Sequence, residues 1–376
     1  MKSEQNKFHK SFQLNGCSFT SVDEILAYTS DFSDEIYHFL ESWFSSDKTI
    51  TVQTSGSTGV PKSIELKKEF VVNSYAFDTH AGSTVSSAIA TGLYFDLQEN
   101  TTALLCLPPA YIAGKLMLIR ALTLGWHLDV IAPNSHPLEK VDKEYDFSAM
   151  VPLQLENSIS KLSKIKKLIV GGGVVSKELK AKIQDVFTVI FATYGMTETI
   201  THIAVKKLNN FSSSKGRITQ QSFYQTLPNV TIYIDDRNCL VINTPKISDE
   251  IIFTNDVVQL ISDTEFEWLG RFDTVINSGG IKLHPEKIEE KLSEIITNRF
   301  FVAGIPDEKL GEKLVLIIEL ESSKVSNYKS VLSEEIKKIT SLSKFEIPKN
   351  IYFIDKFLET GTKKIQRRKT LDFIKL

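Results

Sequence analysis

The sequence predicts an α/β protein: a large N-terminal domain of mainly parallel sheets layered with helices plus a small β-rich subdomain, followed by a small α+β C-terminal domain. Three observations predict it. Between residues 102 and 192, short apolar runs alternate with amphipathic segments, the rhythm of parallel strands joined by crossover helices. From about 220 to 270 the pattern changes to short β runs joined by turns. Beyond Asp273 a hairpin, a helix, two strands, a helix and a strand follow in quick succession. The boundary falls between Arg271 and Thr274, giving domains 1–271 and 272–376.

In chain order, residues 21–48 read as helical, with Val22, Ile25, Leu26 and then Ile36, Phe39, Leu40 and Trp43 at amphipathic spacing. Residues 49–52 are a β-type run, and Ser63-Ile64-Glu65-Leu66 alternates like a strand. A helix is expected from about 67 to 93. Residues 102–107 form a short buried strand stopped by Pro108-Pro109, and helix 112–125 should end at Gly125 as its cap. Strand 128–132, strand 148–151, helix 152–161, strand 167–170, helix 176–186 and strand 189–192 complete the alternation. The β-rich part reads as runs 230–234, 250–253 and 257–260; the last domain as helix 285–296, strands 299–303 and 313–320, helix 327–340 and strand 350–354. In such a sheet, ligand groups belong in the loops at the carboxyl ends of the strands.

The 376 residues hold enough apolar material, 42%, for a sizeable core. A net charge of −2 with mixed signs predicts no broad attraction to nucleic acid. The basic cluster Lys363-Lys364 with Arg367-Arg368-Lys369 is the exception. Cys17, Cys106 and Cys239 lie far apart without metal-ligand spacing, which fits a reducing compartment. The N-terminus lacks a signal-peptide core, and no apolar run approaches the roughly 20 residues that span a bilayer. A cytoplasmic protein with no membrane span is expected; a homo-oligomer stays open.

Five segments carry chemistry. Thr54-Ser55-Gly56-Ser57-Thr58-Gly59-Val60-Pro61-Lys62 packs hydroxyls, glycines and a lysine behind a β run. Glycines let backbone N–H groups close around an anion, and Lys62 adds a point charge for phosphate oxygens. Pro61 stands where a P-loop needs glycine, and residues 63–66 are strand-like instead of helical, so the loop is not that of a P-loop NTPase. An ordinary Ser/Gly-rich turn is the other reading. Tyr194-Gly195-Met196-Thr197-Glu198-Thr199 follows a buried strand. Glu198 could ligate Mg²⁺ and Tyr194 stack on a purine, or Thr197 and Glu198 could merely start a helix. Gly171-Gly172-Gly173 allows close approach of a base or ribose, or makes a tight turn. The run from Gly270 to Glu289 sets Arg271 and Asp273 before a β run, the turn Gly279-Gly280 and a proline-started helix. Finally, Thr360-Gly361-Thr362-Lys363-Lys364-Ile365-Gln366-Arg367-Arg368 is a flexible, polar, basic segment, which alone would read as a solvated tail.

In this order and spacing, from about residue 50 to 370, the segments resemble the adenylate-forming superfamily of acyl-CoA synthetases, luciferases and adenylation domains. The resemblance implies ATP, Mg²⁺ and coenzyme A as cofactor and co-substrates, and a small carboxylic acid as substrate. It implies that Thr54, Ser55, Gly56, Ser57, Thr58, Gly59 and Lys62 hold ATP phosphates. Gly171, Gly172, Gly173 and Tyr194 would lie on the adenine side, with Asp256 and Arg271 on the ribose. Thr197 and Glu198 would serve phosphate and metal, Asp273 would be the hinge, Gly279 and Gly280 would line the CoA channel, and Lys364 would be the catalytic lysine. Lys363 replaces the usual glycine before it and is its rival, although Ile365 and Arg367-Arg368 keep the register on Lys364. Asn255 also replaces a glycine, and Tyr111 stands where relatives often carry histidine.

The early position of the phosphate loop is similar to compact o-succinylbenzoate–CoA ligases, and 113–122 resembles their substrate helix. Arg120 in so apolar a stretch needs an anionic partner or an escape to solvent. The second carboxylate of o-succinylbenzoate would suit it, with Tyr111 and Gly114 nearby. Ligases for another aryl or fatty acid, a carrier-protein acceptor, and a non-catalytic adenylate-binding protein are the competing expectations.

Overall fold

The computed structural model describes residues 7–53, 63–73, 91–209, 223–321, 325–359 and 365–374. At its centre, strands His127–Val130, Thr102–Leu105, Tyr145–Met150, Ile165–Val170 and Val189–Gly195 lie side by side and run parallel. Both faces of this sheet are covered. Ala103, Leu105, Phe147, Ala149 and Ile169 pack into one apolar cluster, whereas Leu104, Met150, Leu168, Val170 and Ile190 pack into another. Successive side chains leave a strand on opposite faces, so burial on both sides demands the unbroken apolar runs seen in the sequence. Helix Ile112–Leu124 lies against the first cluster and stops at Gly125, whose φ of +70° provides the left-handed cap.

The β-rich part differs from expectation in one strand. Runs 250–253 and 257–260 are one long strand, Ile252–Ser262, with register shifts at Val257/Val258 and Leu260/Ser262. The β-rich part is continuous with the central sheet. Tyr224–Thr226 pairs with His202–Lys207 on one side and Glu265–Arg271 on the other, which extends the central sheet into thirteen strands among the described residues.

Residues 21–48 form two helices, Val22–Phe32 and Asp34–Phe44, because Ser33 is extended and its hydroxyl caps the second helix at the Ile36 N–H. The helix expected over 67–93 is seen at Lys68–Asn73 and Thr91–Phe95; its middle lies outside the described residues. Helices Pro152–Ser158, Lys177–Lys182 and Pro285–Leu292 are shorter than expected.

After Phe272–Thr274, strands Ile276–Ser278, Ile281–Leu283, Phe300–Asp307, Gly311–Glu319 and Asn350–Ile354 form a second sheet. Helices Pro285–Leu292 and Val325–Lys338 bury Ile288, Leu292, Leu332 and Ile336 against Val302, Leu314, Leu316 and Ile318. Each such side chain contributes about 1.5–3 kcal/mol when fully buried. The C-terminal segment is no simple solvated tail: Glu359 bridges to Ile365, and Arg367–Asp372 is helical.

Candidate active site

The carboxyl ends of the parallel strands hold the first group. Gly171 follows strand Ile165–Val170, and a Cβ there would come within 2.6 Å of Thr193 Oγ1, so glycine lets the loop pass the next strand closely. Gly172 has φ +77°.

Tyr194, at the end of Val189–Gly195, donates its hydroxyl to Asp256 Oδ2 at 2.7 Å. The Trp268 indole N–H donates to Asp256 Oδ1 at 3.1 Å. Arg271, the cross-strand partner of Asp256, places Nη1 3.8 Å from the same oxygen and Nε 3.1 Å from Asp273 Oδ1. Asp256 is 7% exposed. Burial, and then the charge of Asp256, raise the Tyr194 phenol above its ordinary value, so it stays a proton donor. The Tyr194 ring meets Phe266 and Tyr224 edge-on. Three residues from two strands thus converge on the Asp256 carboxylate, whose oxygens keep further lone pairs for a ligand hydroxyl. Trp268 carried no signal of its own; its role follows from strand register alone.

Thr197 and Glu198 lie in a single 3₁₀ turn, Thr197–Thr199, with Glu198 exposed. The Thr199 hydroxyl accepts from the Met196 N–H at 2.9 Å and reaches the Thr201 carbonyl at 2.7 Å. Ile200 follows at φ +62°, ψ −49°, and Thr201 N–H closes onto Thr199 O at 2.5 Å. This is a γ-turn centred on a β-branched residue, a strained arrangement held by its surroundings. Gly195 is required beside it, because a Cβ would lie 2.5 Å from both Thr201 O and His202 Cα.

Arg120 is only 3% exposed, so it does not escape to solvent. Its Nη2 donates to Thr201 Oγ1 at 3.2 Å and its Nη1 to Met117 Sδ at 3.5 Å. Thr201 Oγ1 is also 3.3 Å from His202 Nδ1. Burial, with a smaller push from Arg120, lowers His202 to about 3, which leaves the guanidinium as the cation of this pair. The Arg120 helix therefore reaches Thr201, which lies between the Glu198 turn and the strand His202–Lys207. Thr201 and His202 escaped the sequence reading, since a Thr-His pair at a strand start has no distinctive spacing.

The remaining expected residues have local roles. Gly114 lets helix Ile112–Leu124 approach the loop before it, as a Cβ would sit 2.3 Å from Pro108 O. Tyr111 occupies the helix N-cap and is 46% exposed. Gly279 and Gly280, at φ +59° and +81°, make the turn of the hairpin Ile276–Ser278/Ile281–Leu283. Asp273 is exposed in the turn Phe272–Thr274. There Thr274 Oγ1 bonds Glu286 Oε1 at 3.1 Å, and Glu286 Oε2 fills the space a Cβ on Gly270 would need, at 2.4 Å. Lys287–Glu267, Lys177–Glu294 and Lys180–Glu290 (3.2 Å) join this helix and its extension to the N-terminal part around a cleft of about 630 Å³.

Thr54, Ser55, Gly56, Ser57, Thr58, Gly59 and Lys62, and likewise Lys363 and Lys364, lie outside the described residues. Their flanks are placed: Gln53 pairs with Ser63, and Glu359 with Ile365. Among the described residues no group of three or more His, Cys, Asp or Glu could hold a metal ion, and no helix is long and apolar enough to cross a membrane.

The AMP-binding enzyme family matches residues 17–245, more than half of the chain. The chain belongs to the AMP-binding enzyme family. A solved relative from Dyadobacter fermentans, an acyl-CoA synthetase (AMP-forming)/AMP-acid ligase II-like protein, is 35% identical, with a TM-score of 0.56 over 90% of this chain and 93% of that one. The 2-succinylbenzoate–CoA ligase of Bacillus cereus is 24% identical over 368 residues, covering 88% of this chain and 71% of that protein. A ligase of the same name from Listeria monocytogenes is 26% identical over 359 residues. An o-succinylbenzoate–CoA synthetase from Bacillus subtilis, solved with ATP and magnesium, shares the fold at 19% identity and a TM-score of 0.67 over 94% of this chain and 82% of that one. Within the AMP-binding enzymes, the chain is an AMP-forming acid–CoA ligase.

Proposed function

We propose that the protein joins o-succinylbenzoate to coenzyme A at the expense of ATP, through an acyl-adenylate, in the cytoplasm. The observation that carries the choice of acid is Arg120. It is buried, positively charged, and bonded to Thr201, three residues after Glu198. A second carboxylate on the substrate supplies the anion such a guanidinium favours. The names of the curated relatives support the same acid.

In the first half-reaction the substrate carboxylate attacks the α-phosphorus of ATP, a P–O bond forms, and pyrophosphate leaves. In the second the thiolate of coenzyme A attacks the acyl carbonyl and AMP leaves. Asp256, aligned by Tyr194, Trp268 and Arg271, accepts the ribose hydroxyls. Residues Thr54 to Lys62 grip the phosphates, and Gly171 to Gly173 flank the adenine. Lys364 stabilises the charge developing at the α-phosphate, where positioning and electrostatics do most of the catalysis. Mg²⁺ is usually held by one or two carboxylates together with substrate phosphates, which one exposed glutamate at position 198 fits. When bound it neutralises phosphate charge. Domains 1–271 and 272–376 turn about Asp273 between the two half-reactions, bringing Gly279-Gly280 to the thiol channel. The partner in this reading is a small-molecule acid, and no nucleic acid takes part.

Pyrophosphate release with ATP, Mg²⁺ and coenzyme A tests it. Release should depend on o-succinylbenzoate and be absent with benzoate or medium-chain acids. Equal rates across that panel would remove the assignment of the acid; no release with any acid would remove the activity.

A further inference from the structure

Turn 235–238, between strands Thr231–Ile234 and Cys239–Asn243, presents the Arg237 guanidinium to two other segments of the chain. Asp235 sets its orientation. Asp235 Oδ1 accepts from the Arg237 and Cys239 N–H groups at 2.8 and 2.9 Å, and Oδ2 accepts from Arg237 Nε at 2.8 Å. The fork then reaches strand Ile252–Ser262, where Nη1 donates to Asn255 Oδ1 at 3.0 Å and Nη2 to Thr254 O at 3.1 Å. A glycine at 255 would offer Nη1 no such acceptor. The same guanidinium lies over the Phe272 ring, 5.2 Å from its centroid.

Phe272 stands between two residues with different duties. Arg271, before it, places Nη1 3.8 Å from Asp256 Oδ1 and Nε 3.1 Å from Asp273 Oδ1, so one side chain is shared between the nucleotide carboxylate and the hinge. A change of backbone angles at Asp273 pulls on Arg271 unless the residue between them is held. Phe272 is 38% exposed, so core packing contributes little to holding it and the guanidinium is the anchor of its ring.

We propose that Arg237 is a positioning residue that insulates the nucleotide site from the hinge: anchored on Thr254 and Asn255, it holds Phe272 so that the domains turn at Asp273 while Arg271 stays on Asp256. The acyl-adenylate is thereby retained between the two half-reactions, and Arg237 itself touches no substrate. This role rests on those of Asp256, Arg271 and Asp273 under the proposed function. The competing role is simple stabilisation of turn 235–238.

Arg237→Ala, Asn255→Gly, Phe272→Ala and Phe272→Tyr are assayed in full turnover with ATP, Mg²⁺, saturating coenzyme A and the acid of the panel that supports pyrophosphate release. Acyl-adenylate free in solution is separated from the enzyme by rapid ultrafiltration and measured against thioester, with thermal unfolding alongside. The first three variants should raise free acyl-adenylate per thioester formed by about two- to fivefold, the worth of one exposed cation–π contact. Phe272→Tyr, which keeps the ring, should match wild type. Wild-type escape of the adenylate in Arg237→Ala and Phe272→Ala overturns the positioning role alone, and a lowered melting temperature in Arg237→Ala with escape unchanged overturns it in favour of the turn. Escape from Phe272→Tyr equal to that from Phe272→Ala also overturns it, because the ring contact would then not matter. Absence of acid-dependent pyrophosphate release from the wild type removes the proposed function and this role with it.

Discussion

Tyr194 and Asp256 are joined by a 2.7 Å hydrogen bond that links the last parallel strand of the central sheet to the long antiparallel strand Ile252–Ser262. The bond makes the two halves of the extended sheet meet at a single carboxylate. Asp256 needs both of its side-chain donors, since a buried carboxylate that loses one keeps its desolvation cost.

Tyr194→Phe should therefore raise KM for ATP several-fold while leaving kcat nearly unchanged. Asp256→Asn, which trades the acceptor oxygen facing Tyr194 or Trp268 for a donor, should raise it roughly 10- to 100-fold, about 1.5–3 kcal/mol. Nucleotide titration calorimetry checks both. Equal affinities for wild type and Asp256→Asn would show that the carboxylate does not meet the nucleotide.

Arg120→Met keeps approximate volume in a buried site and deletes the cation. Against o-succinylbenzoate, kcat/KM should fall by about 10- to 100-fold, the worth of a charge-assisted pair. Substrate competition with a monocarboxylic analogue should show that the discrimination between the two acids has vanished.

His202 sets a pH dependence of stability. Its ordinary value is 6.5 and the fold lowers it to about 3, so between these limits the unfolded chain binds a proton that the native chain does not. Stability associated with His202 is present above pH 6.5 and is lost as the pH falls toward 3. At pH 5 the loss relative to pH 7 is about 2 kcal/mol for one proton. Urea unfolding of wild type and His202→Gln at both pH values should show this difference in the wild type only.

Gly195→Ala places a methyl group where Thr201 O and His202 Cα stand 2.5 Å away. Overpacking of this kind costs about 1–3 kcal/mol. The shift must also be taken up by the Thr197–Thr199 turn, so turnover should fall along with the melting temperature. Gly114→Ala, strained against Pro108 O, should lower the melting temperature to a similar degree.

The parallel core was legible because both of its faces are buried, which writes continuous apolar runs into the chain. The capping glycine at 125 was legible for an equally local reason. The long strand Ile252–Ser262 was not, because Thr254-Asn255-Asp256 carries turn chemistry. In the fold, Thr254 Oγ1 bonds Leu240 O and Asp256 is met by Tyr194 and Trp268, so tertiary partners satisfy what would otherwise favour a turn. The break at Ser33 was hidden by apolar spacing that continues across it. In the site, resemblance located Asp256 and Arg271, but that they face each other across two strands is a matter of register, which spacing does not encode. Trp268, Thr201 and His202 were invisible for the same reason: Trp268 meets Asp256, and Thr201 beside His202 meets Arg120, through contacts between separate elements.

The γ-turn at Ile200 bears on how this protein could be engineered. A glycine would adopt its backbone angles without strain, so Ile200→Gly removes one penalty while giving up a buried side chain. A library selected for heat resistance alone would sample that exchange freely, whereas one selected for turnover would retain whichever residue keeps Glu198 in place. Comparing the two selections at this one position would reveal whether the tension in the backbone serves the chemistry beside it.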